Sequence, residues 1–241
     1  MSAGKSALIL GATGATGKFL LQELLKSPAY SRVGEYGRRV TPSEDITAGK
    51  EKLVQKTIDF EKLGESGLKE GNWDVVFVTL GTRRANVESN AAFEKVDREY
   101  VVNAMREAKS DDSAVGQRLV YVSAIGANPK SYLLYTRSKG LTEQELSKLG
   151  YKDTIIFRPA SLTEGKRTEH RFLESIAISI ANLRQSWQNT YTIPCPTFAK
   201  ALKNTGVLDK ATIEKYATKD ADVPFTLIEN DGIRPLADES V

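Results

Sequence analysis

The stretch GATGATGKFL, residues 11–20, directly follows the apolar run ALIL at residues 7–10. Its glycines Gly11, Gly14 and Gly17 stand three apart where a strand gives way to a helix. The first suits a tight turn with a positive φ, the second lets the backbone approach a ligand, and the third lets the helix pack close to the sheet. Free amides at the start of such a helix attract an anion. The stretch therefore predicts a turn that binds a dinucleotide pyrophosphate, with a purely structural turn as the alternative.

Short apolar runs alternate with helical patterns along the rest of the chain. Most runs are continuous, which is typical of strands covered on both faces in a parallel sheet. They lie at residues 7–10, 52–58, 74–80, 118–124, 154–159 and 224–229, and helical spacing recurs at 18–27, 91–109 and 138–150. Residues 31–39 are assigned as the second strand because the topology needs one, although they hold two glycines and few apolar side chains. The alternation predicts an α/β fold with a doubly wound parallel sheet, the Rossmann fold.

The composition suits one large domain or two small ones, with 241 residues of which 40% are hydrophobic. We expect a single NAD(P)-binding Rossmann domain over residues 1–241, in which residues from about 160 onward supply a small C-terminal substrate-side region. The net charge of +3 and the lack of a dense basic run argue against a nucleic-acid partner. One cysteine and one histidine leave no internal disulfide and argue against zinc, so we expect no bound metal.

Membrane and targeting signals do not stand out in the sequence. No apolar run approaches the roughly 18 residues of a transmembrane helix. The first residues, MSAGKSALILGATG, lack the pattern of a secretory or transit peptide. The single cysteine is typical of a reducing compartment. We expect a cytoplasmic location and a monomer or homodimer, and we leave peripheral membrane association open.

The residues around the end of the second strand bear on the choice between NAD and NADP. An NAD site usually holds an acid that accepts from the ribose hydroxyls, whereas an NADP site uses arginine against the 2′-phosphate. The adjacent pair Arg38 and Arg39 favours NADPH, because two guanidiniums can share a dianionic phosphate. Glu35 keeps NAD as the alternative. Asp59, in TIDF, is either an acceptor for the adenine amino group or an exposed acid at a strand end.

The catalytic candidates follow the strand RLVYVS, which ends at Ser123. Tyr135 and Lys139, in YTRSK, stand four apart and would share one face of a helix. A phenol has a pKa of about 10, and a nearby ammonium lowers it. The serine hydroxyl could bind the substrate oxygen while the tyrosine supplies a proton and a nicotinamide delivers hydride. The alternative is an exposed tyrosine beside a solvated lysine; Tyr132 is a rival that has Thr136, not lysine, four residues on.

Seven segments together resemble the atypical short-chain dehydrogenase/reductases. They are LILGATGATG, GRR, VTLGTRRA, VDREYV, VYVSAIGA, YTRSKG and IIFRPASL, in order between about residue 6 and residue 165. Within that group the chain is most similar to the Tat-interacting-protein oxidoreductases and their fungal relatives first catalogued in mitochondrial proteomes. The resemblance implies that the cofactor contacts are Gly11, Thr13, Gly14, Ala15, Thr16, Gly17, Arg38, Arg39, Leu80, Gly81, Thr82, Tyr135, Lys139, Pro159, Ala160 and Leu162.

The resemblance also implies a function. Ser123, Tyr135 and Lys139 would form the catalytic set of an NADPH-dependent carbonyl reductase that acts on an unidentified small carbonyl or alcohol. Some family members have regulatory roles, so the alternative is an NADPH-binding sensor that acts through protein partners with little or no turnover. The fungal relatives add the mitochondrial outer membrane as a peripheral location. The chain departs from the family in its glycine-containing second strand and in the segment EGKRTEHRFLES, residues 164–175.

Several other residues have weaker signals. Arg83 and Arg84 would contact phosphate or substrate, or remain solvated. Residues 172–183 have helical spacing and suit a substrate-side helix, a dimer contact or a helix that covers the core. We expect surface exposure for His170, a small buried hydrophobe in Cys195, and packing roles for Trp73 and Trp187.

Overall fold

A parallel sheet lies at the centre of the computed structural model, which describes residues 4–82, 84–112, 116–164, 192–219 and 222–241. The strands are β1 (Lys5–Leu10), β2 (Tyr30–Gly37), β3 (Leu53–Thr57), β4 (Val75–Val78), β5 (Arg118–Val122), β6 (Asp153–Arg158), β7 (Ser161–Thr163), β8 (Thr192–Pro194) and β9 (Thr226–Glu229). Seven of them form the main sheet in the order β3-β2-β1-β4-β5-β6-β9, and β7 pairs with β8 in a small second sheet. Every pairing is parallel.

Helices connect these strands and cover both faces of the sheet. Their bounds are α1 (Gly17–Lys26), α2 (Asn90–Glu94), α3 (Tyr100–Ala108), α4 (Leu134–Ser147), α5 (Cys195–Val207), α6 (Lys210–Glu214) and α7 (Asn230–Asp238). A π-helical turn, Lys95–Glu99, joins α2 to α3. Within the described residues, no helix combines the length and apolar character that crossing a bilayer requires.

The order of the strands reverses at β1. From β1 the chain moves outward to β2 and β3, and then returns to β4 on the other side of β1. This reversal leaves a crevice beyond the carboxyl ends of β1 and β4, where doubly wound folds bind their ligands. The predicted α/β fold with a doubly wound parallel sheet is confirmed.

Two hydrophobic cores flank the sheet and explain the continuous apolar runs. In β1, Ala7 and Ile9 enter a core with α1, α5 and α7, whereas Leu8 and Leu10 enter a core with α3 and Leu146 of α4. All four β1 side chains are fully buried. Strands buried on both faces need apolar residues at successive positions, and this is the pattern that the sequence has.

The second strand is a full eight-residue element despite its weak sequence signal. Its glycine Gly34 faces the indole of Trp73, which is fully buried, as its predicted packing role requires. A Cβ at Gly34 would lie 2.4 Å from Cη2 and 2.6 Å from Cζ2 of Trp73. The glycine therefore provides the space for the indole, and the loss of β propensity is the cost of that packing.

The remaining differences from the sequence predictions are local. The helix predicted at 138–150 begins earlier, at Leu134, and the one predicted at 91–109 contains the π-helical turn. β3 is an edge strand with mostly exposed side chains, so it is not covered on both faces as predicted. After residue 160, the predicted apolar run at 224–229 supplies β9 of the main sheet, and α5 and α7 join one core, while the substrate-side role of this region stays a prediction. Four predictions lie outside the described residues: those for Arg83, His170, Trp187 and the segment 172–183.

Replacing Gly34 by alanine should lower the free energy of unfolding by about 1–3 kcal/mol, because the methyl group would overlap the buried Trp73 ring. Urea unfolding followed by tryptophan fluorescence measures the loss. Gly64→Ala is the matched control, since no described atom lies within 4 Å of a Cβ placed there, and its effect should stay within about 0.5 kcal/mol. Equal stability of the two variants would contradict this account of β2.

Candidate active site

The glycine turn after β1 is packed against the end of β4. Gly11 has a φ of +93°, and a Cβ there would lie 2.7 Å from the Leu80 amide nitrogen. A Cβ on Gly17 would lie 2.1 Å from the Gly11 carbonyl oxygen. A Cβ on Gly14, by contrast, would meet one described atom within 4 Å, the Gly11 oxygen at 3.2 Å. Gly11 and Gly17 thus close the turn, and Gly14 presents bare backbone to open space.

The start of α1 offers donors to an anion. The Gly14 amide donates to the Gly11 oxygen at 3.0 Å, and the Lys18 amide donates to the Gly14 oxygen at 3.1 Å. Across the described ranges no acceptor takes up the amides of Ala15 and Thr16, and the first turn of α1 holds no acidic side chain. Thr13 is exposed beside them. This end of the helix can therefore bind phosphate through free amides and the helix dipole.

The turn formed by Leu80, Gly81 and Thr82 connects the glycine turn to α4. Thr79 fixes it, because its amide donates to the Leu10 oxygen at 2.9 Å and its hydroxyl donates to the Gly11 oxygen at 3.0 Å. On the other side, a Cβ at Gly81 would lie 3.5 Å from the Lys139 ammonium. A ligand that spans from the glycine turn to α4 would pass along this turn.

The chain after β5 runs beside the chain after β6. The Ser123 amide donates to the Phe157 oxygen at 2.8 Å, and the Ile125 amide donates to the Pro159 oxygen at 3.0 Å. The Ala160 amide donates to Oδ1 of Asn230 at 3.1 Å, which anchors the second segment at the start of α7. Pro159 is buried, and Leu162, further along, packs against the core.

Ser123 carries a hydroxyl that has no partner within the described part of the chain. The side chain is buried, and its Oγ makes no hydrogen bond there. Buried polar atoms are nearly always paired in folded proteins, so an unpaired one indicates a place for a ligand or solvent oxygen. This atom lies at the sheet edge where the sequence predicts the substrate.

The first turns of α4 bring Tyr135 and Lys139 onto one helix. Tyr135 is half-buried, with its ring centroid 6.2 Å from that of Phe93. The rival Tyr132 is fully exposed in the preceding loop. The structure therefore turns Tyr135 toward the protein and Tyr132 away from it.

Lys139 lies in a buried charged cluster. Its ammonium is 3.0 Å from Oδ1 of Asp97 and 3.0 Å from the Tyr121 hydroxyl. Burial by itself would lower the pKa of Lys139, but the charge of Asp97 and the hydroxyls of Tyr121 and Tyr135 outweigh it, so the pKa is raised well above its usual value. The lysine is an ammonium at neutral pH. Burial also raises the pKa of Tyr121, which stays a neutral phenol.

Asp97 was not among the residues singled out from the sequence. It sits in the π-helical turn and is fully buried. The sequence holds a signal for it, because Phe93, Asp97 and Val101 are four apart and belong to the apolar stripe of a helix. An acid on a buried stripe needs a partner, and here the partner is Lys139.

Glu35, in β2, anchors the loop that follows the strand. The Glu35 carboxylate is buried and accepts from the Thr41 amide at 2.8 Å, the Thr41 hydroxyl at 2.7 Å and the Gln55 amide at 2.8 Å. Arg38 and Arg39, at the start of this loop, are exposed. The carboxylate that kept NAD as an alternative is therefore engaged inside the protein, and the two arginines are the accessible charges.

Asp59 is exposed at the end of β3, and its Oδ1 accepts from the Glu61 amide at 2.9 Å. It lines a small cavity together with Lys56 and Lys62. Its proposed contact with the adenine amino group stays a prediction.

Arg84, Arg158 and Cys195 are all engaged within the protein. Arg84 donates to Oδ1 of Asn90 at 2.6 Å and to the Val87 oxygen at 2.8 Å, which fixes its own loop. Arg158, the last residue of β6, binds Glu143 of α4. Cys195 is buried at the start of α5, and burial raises the pKa of its thiol, in keeping with the predicted small hydrophobe. No group of three or more potential metal ligands occurs among the described residues.

A doubly wound sheet and a glycine turn with free helix amides are the features of an NAD(P)-binding Rossmann domain. The family comparison agrees: the chain belongs to the NAD(P)H-binding family, whose model matches residues 11–179.

Individual relatives support the resemblance seen in the sequence. Protein HTATIP2 of Rattus norvegicus is 34% identical over 201 residues, which cover 83% of this chain and 80% of the relative. Protein FMP52, mitochondrial, of Candida albicans is 34% identical over 178 residues, which cover 73% and 76%. The predicted kinship with the Tat-interacting-protein oxidoreductases and their fungal relatives is confirmed.

Solved structures share the fold at low sequence identity. A nucleoside-diphosphate-sugar epimerase from Agrobacterium tumefaciens has a TM-score of 0.65 at 17% identity, covering 94% of this chain and 73% of that one. Uronate dehydrogenase from the same organism has a TM-score of 0.59 at 13% identity, covering 95% and 77%. These likenesses establish the architecture and leave the substrate open.

Replacing Glu143 by glutamine should destabilise the fold by about 3 kcal/mol, because the Arg158 guanidinium would keep its charge in a half-buried site without a carboxylate. Thermal unfolding measures the loss. Glu145→Gln is the control: its pair with Arg98, at 3.2 Å, is more exposed and should contribute less than about 1 kcal/mol. If Glu143→Gln keeps its stability and instead weakens ligand binding, Arg158 belongs to the site and not to the scaffold.

Proposed function

We propose that this protein is an NADPH-dependent oxidoreductase of the short-chain type that reduces a small carbonyl compound to its alcohol. The observation that carries the proposal is the buried Ser123 hydroxyl, which directly follows β5 and has no hydrogen-bond partner among the described residues. Tyr135 and the buried Lys139 ammonium lie on α4, and Lys139 faces the turn after β4 at Gly81. The glycine turn opens toward the same crevice.

The residues present fit a dinucleotide. Gly14 has open space where a side chain would stand, and Ala15 and Thr16 supply amides for the pyrophosphate. The Leu80–Thr82 turn would lie along the ribose, and Pro159, Ala160 and Leu162 would lie along the nicotinamide. Bound there, the cofactor supplies the hydride that the carbonyl carbon accepts.

The chain's own groups would then act on the substrate oxygen. Ser123 Oγ donates a hydrogen bond that orients the oxygen and polarises the carbonyl. Tyr135 gives its phenolic proton to the same oxygen as the alcohol forms, and solvent returns the proton afterwards. Lys139 stabilises the transient phenolate and holds the ribose hydroxyls. Ser123, Tyr135 and Lys139 would act from their fixed positions in the fold.

The preference for NADPH rests on the loop after β2. Glu35 is buried and accepts three hydrogen bonds inside the protein, so its carboxylate is not accessible to a ribose on the surface. Gly37 ends the strand with no side chain that would repel a phosphate, and Arg38 and Arg39 stand exposed beyond it. This set favours a ligand that carries a 2′-phosphate over one that does not.

The biological setting is also a proposal. The substrate is a small molecule, and the chain acts as one catalytic domain in a monomer or homodimer. The fungal relatives are named mitochondrial, and by that likeness we place the protein in the cytoplasm or peripherally on the mitochondrial outer membrane.

Replacing both Arg38 and Arg39 by alanine should weaken NADPH binding about tenfold or more and leave NADH binding nearly unchanged, because the charge-assisted bonds to the 2′-phosphate are lost. Titration calorimetry with both cofactors gives the ratio. Arg106→Ala, on the exposed surface of α3, controls for the loss of positive charge. Equal weakening of NADPH and NADH would contradict the assignment.

Replacing Tyr135 by phenylalanine should lower turnover by about 10²–10⁴-fold while NADPH still binds, because the proton donor is lost and the ring is kept. The assay follows NADPH oxidation with a panel of ketones, aldehydes and quinones, and calorimetry follows binding. Tyr132→Phe, in the exposed loop, should retain full activity. Binding without turnover in the unmodified protein, together with cellular function that survives Tyr135→Phe, would favour the NADPH-sensing alternative.

A further inference from the structure

The loop between β5 and α4 exposes apolar side chains beside the candidate site. Among the described residues, five large hydrophobic residues are exposed, and three of them, Ile125, Tyr132 and Leu133, lie in this loop. The loop runs from Ser123, the residue after β5, to the start of α4. Apolar side chains that are grouped at the surface mark a place where a ligand or a partner binds.

Ile125 shares a face of the sheet with the Ser123 hydroxyl. The amides of Ser123 and Ile125 donate, at 2.8 and 3.0 Å, to two main-chain oxygens that are likewise two residues apart, in β6 and just after it. The parallel pairing of β5 with β6 therefore continues through this part of the loop. Alternate residues of a strand project from the same face and lie about 6–7 Å apart.

This face is the one that α4 covers. Tyr121, two residues before Ser123, packs there, and its hydroxyl accepts from the Lys139 ammonium at 3.0 Å. Along β5 the face thus presents Tyr121, then the Ser123 hydroxyl and then Ile125. A substrate oxygen bound by Ser123 would have the Ile125 side chain as its next neighbour in this direction.

Polar groups of the loop are engaged within it or with the first turn of α4. Oδ1 of Asn128 accepts from the Lys130 amide at 2.9 Å, and Oγ of Ser131 accepts from the Leu133 amide at 3.1 Å. The Thr136 hydroxyl also donates to Oγ of Ser131, at 2.6 Å. These bonds fix the backbone of the loop, so its exposed apolar side chains are held in place, as a surface that selects a substrate requires.

Two cations of the neighbouring elements are already paired. The Lys139 ammonium lies 3.0 Å from Oδ1 of Asp97, and Arg158, at the end of β6, lies 2.6 Å from Oε2 of Glu143. A carboxylate on the substrate would have to displace one of these buried acids to gain either cation. A hydroxyl group against Ile125 would exchange water for hydrocarbon and gain no hydrogen bond from that side chain.

We propose that Ile125 is a specificity residue of this site and that the substrate carries an apolar alkyl or aryl group next to its carbonyl carbon. The inference rests on the proposed function and deepens it, because it takes the substrate oxygen to be bound by Ser123. Contact with Ile125 removes apolar surface of both partners from water. It therefore favours a hydrocarbon group over a hydroxylated or charged group of equal size.

Three small ketones of equal size test the preference: diethyl ketone, dihydroxyacetone and pyruvate. With NADPH and the full chain, kcat/KM should be about tenfold or more higher for diethyl ketone than for either of the others. Ile125→Asn keeps the main-chain amide that bonds β6 and should lower this ratio about fivefold or more. Ile125→Leu should retain it.

Val54→Asn is the matched control. Val54 is 39% exposed, against 41% for Ile125, but it lies on β3, at the far edge of the sheet. Its variant should keep the ratio of the unmodified protein, and thermal unfolding shows that both variants fold. A kcat/KM for dihydroxyacetone or pyruvate that equals or exceeds that for diethyl ketone overturns the proposal, and so does a ratio that Ile125→Asn leaves unchanged.

A binding measurement that needs no turnover complements the kinetics. Formamides offer a carbonyl oxygen but are not reduced, and N-butylformamide is equal in size to the analogue with a terminal hydroxypropyl group. In ligand-observed NMR titrations of the NADPH-loaded chain, the dissociation constant should be about fivefold or more lower for the butyl compound. The difference should disappear in Ile125→Asn, and Ser123→Ala should weaken the binding of both compounds.

The two measurements distinguish this inference from the proposed function. A chain that reduces no ketone but shows the Ile125-dependent difference between the formamides loses the reductase function and keeps the apolar site. A chain that reduces dihydroxyacetone or pyruvate at least as well as diethyl ketone keeps the function and loses the role of Ile125. A chain that neither reduces a ketone nor binds a formamide loses both.

Discussion

The contact between the glycine turn and the end of β4 is the constraint from which the rest of the site follows. No side chain fits at Gly11 or Gly17, so β1 and β4 end side by side with backbone against backbone. That closeness aligns the helix amides of α1 with the turn after β4, and the same turn reaches α4 through Gly81. The open crevice at the strand-order reversal is thus lined by main-chain atoms on one side and by the candidate catalytic side chains on the other.

Buried ion pairs hold α4 against the sheet and the π-helical turn. α4 carries Glu143, bound to Arg158 of β6, and Lys139, bound to Asp97 of the π-helical turn. Such pairs add little net stability over apolar packing. They do fix the register of the helix against its neighbours, because a shift of one residue would leave a charge unpaired in the interior. The helix that presents Tyr135 is therefore positioned by electrostatics as well as by the apolar contacts of Leu146.

The glycine turn, the strand–helix alternation and the four-residue spacing of Tyr135 and Lys139 were predictable from the sequence because each depends on neighbours along the chain. The strength of β2 was not, because Gly34 is explained by Trp73, which is distant in sequence. The inward turn of Glu35 depends likewise on Thr41 and Gln55. Asp97 was visible only as an acid on an apolar stripe, and no local rule names its partner. These features depend on tertiary contacts, which the hydrophobic periodicity of the sequence does not show.

The buried Glu35 carboxylate has a consequence for redesign. If the protein binds NADPH as proposed, acids in place of Arg38 and Arg39 would be the direct route to a preference for NADH, but they would add negative charge close in sequence to the Glu35 carboxylate, which Thr41 and Gln55 hold. Mutual repulsion would loosen the segment proposed to contact the ribose. A change of coenzyme would therefore begin with Glu35, which would be neutralised and its hydrogen-bond donors replaced. Only then would the exposed residues be altered.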